Sequence, residues 1–366
     1  MWDTAPTHLP SFAQAPNRVV RPVGHVTPDH LQALSNSSRK NKMANETISE
    51  SRSCPLCGKR NANIIARMSA RQIIESSAYY GNDSYQKLGV NGENKYGISR
   101  CSDCSFVFSS ETPSEVFLDK LYSGGEKIDE SVRIFARPER AAYAFGAMSR
   151  LLNAISTRCV PDEKGVPAEA IRILDVGCAF GVASLGLTRN HYPYEVFGIE
   201  WSQSTRDYLS EQGMRAFRTL NEIPPSTIFD GILLNDVLEH LPDPVTFVKQ
   251  LRGFTHPDTV IWVNVPNFID WRSKEIIHMI NSESIEIPKD MNPWEHLSYF
   301  SPRTLDTLMG IAEFQRMAEY PTYYPVQCSS FSELVKQLVK AVRDILRIYK
   351  GKYPSEVSTA GLYSLK

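Results

Sequence analysis

Residues Ile171–Gly181 read I-R-I-L-D-V-G-C-A-F-G. The apolar run Ile171, Ile173, Leu174 and Val176 has the composition of a buried strand. Asp175, Gly177 and Gly181 then make a tight turn that leads into a helix. Without a Cβ, the two glycines let the backbone swing sharply and let a ligand approach it closely. Strand and helix patterns alternate after this stretch, which predicts an α/β fold with a doubly wound parallel sheet. In such sheets ligands sit in the crevice beyond the carboxyl ends of the strands.

The spacing narrows the ligand. A dinucleotide fingerprint needs G-x-G-x-x-G, whereas only G-x-x-x-G stands here, and no Lys-Ser/Thr follows to make a P-loop. A second strand, Glu195–Ile199, closes in Glu200. That acid follows the glycines by roughly 20 residues, where α/β nucleotide sites place a carboxylate on ribose hydroxyls. A ribose without a pyrophosphate is what S-adenosylmethionine presents. The loop together with Glu200 resembles the class I S-adenosylmethionine-dependent methyltransferases. The same residues are also compatible with an ordinary strand–helix turn in an α/β domain that binds nothing.

Seven cysteines occur, and four form two C-x-x-C pairs, Cys54 with Cys57 and Cys101 with Cys104. Each pair makes a knuckle aiming two thiolates at one centre, and two knuckles complete a tetrahedral zinc site. No thioredoxin-like pattern surrounds either pair, which weighs against redox chemistry. Four thiolates leave no open coordination position, so the expected zinc is structural. Cys159, Cys178 and Cys328 remain as free thiols.

Further along, Phe229–Pro244 reads F-D-G-I-L-L-N-D-V-L-E-H-L-P-D-P, with a buried strand at Ile232–Leu234 ending in Asn235-Asp236. Ser202 and Asp243 are N-cap candidates, and Pro244 takes a first helical position. A third strand covers Met214–Arg218, a fifth covers Ile261–Asn267 (I-W-V-N-V-P-N), and Trp294–Pro302 reads W-E-H-L-S-Y-F-S-P, with Ser301 as a cap. This succession resembles one branch of the class I methyltransferases. In that branch a cysteine-knuckle zinc domain precedes the methyltransferase domain, as in some sugar C-methyltransferases. The resemblance runs from about Cys54 to Phe314. It implies a Rossmann-like sheet, S-adenosylmethionine as cofactor and a small-molecule or sugar acceptor from a biosynthetic pathway. It places the cofactor on Asp175, Gly177, Cys178, Gly181, Glu200, Asn235 and Asp236. Two departures stand out: the long knuckle spacing, and Thr255-His256-Pro257-Asp258 where the family commonly has a Pro-Gly-Gly turn.

A methyl on a sulfonium is already activated, so the protein chiefly aligns the reacting atoms and excludes water. An acceptor that must lose a proton needs a base, and histidine suits proton transfer near neutral pH. His296 is the first candidate, in a loop expected to cross the mouth of the site with Trp294 and Tyr299. His240 is the second, against the plainer role of capping a strand end.

The 366 residues carry a net charge of −1, so no global field favours nucleic acid. That charge weighs against an RNA methyltransferase, as does Asn235-Asp236-Val237-Leu238 in place of an N/D-P-P-Y/F motif. A non-catalytic, partner-binding protein on the same fold is the reading from another class. The absence of an apolar signal segment points to the cytoplasm. The expected organisation is a disordered leader (1–52), a zinc-ribbon-like domain (53–110) and a helical lead-in or lid carrying Tyr122 and Tyr143 (111–170). The methyltransferase domain follows (171–325), then an amphipathic helix and tail (326–366). In the tail Leu334, Leu338, Val342, Ile345 and Tyr349 line one face and basic residues the rest. Such a helix packs on its own domain, a protein partner or an anionic membrane.

Overall fold

The described residues form two sheets. The computed structural model describes residues 52–76, 87–122, 137–156, 170–189, 194–268, 270–285, 287, 291–319 and 358–366. The first sheet opens with β1 (Ala62–Ser69), helix α1 (Ala70–Ser76), β2 (Lys95–Cys101) and β3 (Val107–Ser109). Helices α2 (Glu115–Tyr122) and α3 (Pro138–Ser156) lead into the second sheet. There, β4 (Ile171–Val176), α4 (Leu185–Arg189), β5 (Tyr194–Ile199), α5 (Gln203–Glu211) and β6 (Arg215–Phe217) follow one another. Next come β7 (Phe229–Asn235), α6 (Pro244–Leu251), β8 (Thr255–Pro266) and α7 (Asp270–Asn281). The described chain closes with β9 (Ser298–Tyr299), α8 (Pro302–Ile311), β10 (Phe314–Glu319) and β11 (Ser358–Leu365).

The large sheet has the order β10-β11-β8-β7-β4-β5-β6. Strands β6, β5, β4, β7 and β8 pair in parallel, as a doubly wound sheet requires. Strand β4 is buried on both faces apart from Arg172, which accounts for its near-continuous apolar composition. The helix starts follow the expected chemistry. Ser202 accepts the Thr205 amide and Asp243 the Thr246 amide, while Ser301 and Thr304 form a capping box with Pro302 at the first position.

Three expectations are corrected. Strand β8 begins at Thr255, six residues before the expected Ile261, because Thr259 Oγ1 donates to the Phe229 carbonyl and holds the T-H-P-D segment to β7. The four-cysteine sheet is not confined to 53–110. Its order is β1-β2-β3-β9, and β9 comes from the Trp294–Pro302 segment. Finally, the large sheet is not confined to 171–325. Residues 358–365 form β11, which runs antiparallel between β8 and β10. The expected helix around Leu334–Tyr349 and the leader before Arg52 lie outside the described residues, as do Cys159 and Cys328.

One apolar core spans both sheets. Cys54, Leu56, Cys101, Phe106 and Phe108 belong to the same buried cluster as Leu174, Leu234, Val263 and Phe300. The rings of Phe106 and Phe300 lie 5.1 Å apart. Among the described residues, no helix is long and apolar enough to cross a membrane.

Candidate active site

Parallel pairing sets the carboxyl ends of four strands side by side. Val176 is level with Ile199 and Leu234, and Asn235 with Asn264. The loop leaving β4 has left-handed backbone at Gly177 (φ 66°), Ala179 (φ 45°) and Gly181 (φ 63°). The Gly177 and Cys178 amides donate to the Ile199 carbonyl at 2.8 and 3.1 Å. A Cβ on Gly181 would fall 2.9 Å from Leu209 Cδ2, so glycine is needed there for space as well as for conformation.

Glu200 ties this loop to the end of β5. Its Oε2 accepts the Ala179 amide at 3.1 Å and its Oε1 accepts the Ser202 amide at 2.8 Å. Burial pushes its carboxyl above the usual range. Asp175 lies behind the loop, where the Ser184 hydroxyl donates to it and burial raises it to about 7. Cys178 turns its thiol into the core, where a Cβ on Gly198 would come within 2.6 Å of Sγ. Only its backbone faces the loop, so any contact with a cofactor is made by main-chain atoms.

The end of β7 carries a polar cluster. Asp236 adopts φ 57°, and its amide donates to the Asn264 carbonyl at 2.9 Å. Its Oδ2 accepts the Tyr143 hydroxyl at 2.7 Å and Asn235 Nδ2 at 3.2 Å, while Oδ1 accepts Asn264 Nδ2 at 2.9 Å. Burial lifts Asp236 to about 6, against the hydrogen bonds from Tyr143 and Asn264, which hold it down. Tyr143, expected in a lid, is thus a partner of the strand-end acid. Asn264 was not singled out in the sequence, because one polar residue inside I-W-V-N-V gives no signal of facing a crevice. The side chain of Tyr122 lies outside the described residues.

Four residues beyond Asp236, His240 meets His296, their ring centroids 4.7 Å apart and nearly perpendicular. His240 Nδ1 lies 3.0 Å from the Glu295 carbonyl. A carbonyl only accepts, so Nδ1 carries the proton and Nε2 the lone pair. Burial and the neighbouring His296 push His240 down to about 3, which keeps it neutral at physiological pH. The Glu239 side chain is 2% exposed, with Oε1 4.0 Å from His240 Nε2. The donor atoms of Glu239, His240 and His296 lie within 4.8 Å of one another, a spacing that a divalent cation spans. Trp294 and Tyr299 are the aromatics expected beside this pair. They are 1% and 5% exposed in the core beside the small sheet, with Trp294 edge-on to Tyr96 and Phe117.

The four cysteines converge. Cys54 and Cys104 Sγ lie 3.6 Å apart, as do those of Cys57 and Cys101; all four lie within 4.8 Å of one another. Tetrahedral thiolates at about 2.3 Å from zinc would stand roughly 3.8 Å apart, so the donors fit that ion. The knuckles repeat each other: the Gly58 amide donates to Cys54 O and the Ser105 amide to Cys101 O, both residues at positive φ. Burial pushes Cys54 up to about 11 and Cys104 higher still.

Comparison with known proteins adds to this geometry. An uncharacterized methyltransferase of Schizosaccharomyces pombe is 33% identical over 102 residues, 24% of this chain and 36% of that protein. The mitochondrial ubiquinone biosynthesis O-methyltransferase of Bos taurus is 27% identical over 173 residues, 43% of this chain and 44% of that protein. The chain thus spans less than half the length of each of these curated relatives. The plantazolicin methyltransferase BamL, solved with SAH and a triazolic desmethylPZN analog, aligns over 68% of this chain and 93% of its own. Its identity is 15% and its TM-score 0.44. Residues 140–318 match the family model of a methyltransferase domain. The segment from α3 into β10, which builds the crevice, is therefore the part of the chain that matches a methyltransferase domain.

Proposed function

We propose that this protein is an S-adenosylmethionine-dependent methyltransferase acting on a small-molecule or sugar acceptor in a biosynthetic pathway, with structural zinc on Cys54, Cys57, Cys101 and Cys104. The observation that carries the reading is the glycine loop pinned to Glu200 at the carboxyl edge of β4 and β5, inside the segment that matches a methyltransferase domain. Bound S-adenosylmethionine supplies a methyl group already activated on a sulfonium. Glu200 accepts backbone amides including those of Ala179 and Ser202, and a carboxylate has four lone-pair sites with which it would also accept a ribose hydroxyl. Gly177 and Gly181 let the loop backbone come close to the cofactor, and Asn235, Asp236 and Tyr143 form the polar floor beside it. His296 takes the acceptor proton. His240 is the second candidate for that role, weakened as a base by the burial that holds it neutral. The bovine relative is named as an O-methyltransferase, so hydroxyl acceptors are the first to screen.

Calorimetric titration with S-adenosylmethionine tests the reading. Wild type should bind in the micromolar range, and Glu200→Ala should weaken binding at least about tenfold, or 1.4 kcal/mol. No binding by folded, metal-loaded wild type would overturn the enzyme reading and leave a partner-binding protein on the same fold.

A further inference from the structure

Arg52 precedes the first knuckle by two residues, and its guanidinium lies where three backbone carbonyls converge. Nε donates to Ser109 O at 3.0 Å, Nη1 to Pro242 O at 3.1 Å, and Nη2 to Leu297 O. The Arg52 amide also donates to Ser110 O at 3.0 Å, and the guanidinium carbon stands 5.5 Å from the centroid of the Phe108 ring. Each carbonyl belongs to a different part of the molecule. Ser109 ends β3 of the cysteine sheet, Pro242 follows His240 by two residues, and Leu297 follows His296 by one.

Other bonds brace the same junction. The Leu297 amide donates to the Glu239 carbonyl at 2.7 Å, and the Ser109 amide donates to the Leu297 carbonyl at 3.1 Å. Strand β9 pairs with β3 through Val107–Tyr299 and Phe108–Ser298. The two histidine-bearing segments therefore meet at a joint whose third member is the cysteine sheet. We propose that Arg52 is a positioning residue for the His240–His296 pair, and that it couples the geometry of the pair to occupancy of the four-cysteine cluster.

The residue type fits the task. A guanidinium is a rigid planar fork with five donors, able to serve three carbonyls from fixed directions, whereas an ammonium is a point charge on a flexible stem. Filling the space alone would call for an apolar side chain, because a half-buried cation costs free energy unless it is hydrogen-bonded. Glu111, Asp243, Tyr299 and Cys54 are the ionisable groups that face it. The use of the pair as a base rests on the methyltransferase reading, whereas its geometry does not.

The test uses the full chain labelled with ¹⁵N, comparing wild type, R52Q and R52K by the imidazole nitrogen signals of His240 and His296 and by amide exchange at Leu297. S-Adenosylmethionine affinity and metal content are measured on the same samples. R52Q should keep its metal and bind S-adenosylmethionine within about threefold of wild type. It should also lose the Nδ1–H tautomer of His240 and exchange the Leu297 amide at least about tenfold faster. R52K should fall between the two proteins. If R52Q does not fold, R52K carries the same readings. Wild type stripped by a chelator should show the R52Q histidine signals. A merely structural arginine would lower the melting temperature and leave the tautomer and Leu297 exchange unchanged, which overturns the proposal. Unchanged histidine signals after metal removal would overturn the coupling to the cluster. If neither wild type nor variant binds S-adenosylmethionine while the signals still shift, the cofactor reading fails and the positioning role stands.

Discussion

Asp236 joins a left-handed backbone to a carboxylate shared by Tyr143, Asn264 and Asn235. Burial raises it to about 6, and Asp175 to about 7, from an ordinary value of 3.8. The unfolded chain releases both protons near pH 4, whereas the folded chain holds them to pH 6–7. Between those limits the folded state binds more protons, so their contribution to stability falls as pH rises and levels off above pH 7. Asp236→Asn should flatten the Asp236 part of that decline, read from urea midpoints of the two proteins at pH values below and above the window. An unchanged slope would mean that Asp236 ionises freely in the fold. At this scale the strand-end acids, glycines and histidines were legible because each stands at a motif boundary in the sequence. Their partners were not. Asn264 sits inside a strand, and Arg52 closes a segment with the composition of a leader. Cys178 shows the converse, since its place in the loop says nothing of a thiol that turns into the core.

Strands near the glycine loop were legible because parallel strands buried on both faces read as apolar runs. Strand β11 was not, because Ser358–Leu365 carries few large apolar residues and follows a stretch with strong helical period. Its burial comes from position: it bonds to β8 on one side and β10 on the other, and residues 359–364 are all buried. Removing residues 358–366 would leave two strand edges unpaired in the middle of the sheet. The truncated chain should lose its cooperative urea transition and partition into the insoluble fraction on expression. A soluble truncated chain with the wild-type midpoint would show that β8 and β10 manage without it. Strand β9 escaped notice for a related reason. Two residues carry no period, and the aromatics around them fit a binding loop as well as the core they in fact fill.

Across the whole molecule, the cysteine sheet and the large sheet share a buried cluster, and the cysteine sheet takes its fourth strand, β9, from chain that follows β8 of the large sheet, so they should unfold together. Calorimetry of the metal-loaded protein should show one transition that moves down as a unit when a chelator removes the metal. Two separate transitions would mean that the cysteine sheet is an independent appendage. The sequence located both knuckles but assigned them to a self-contained ribbon, because nothing local records that the fourth strand arrives from residues 298–299. That strand also carries a kinetic consequence. Closing the cysteine cluster joins residues 50 apart, Cys54 and Cys104, whereas seating Leu297 against Arg52 joins residues 245 apart. Loop-closure entropy rises with the separation, so during folding the four cysteines are expected to come together and set β3 as a template first. The histidine-bearing segments are then the last to settle, and the speed at which the chain becomes competent is governed by that late, long-range closure.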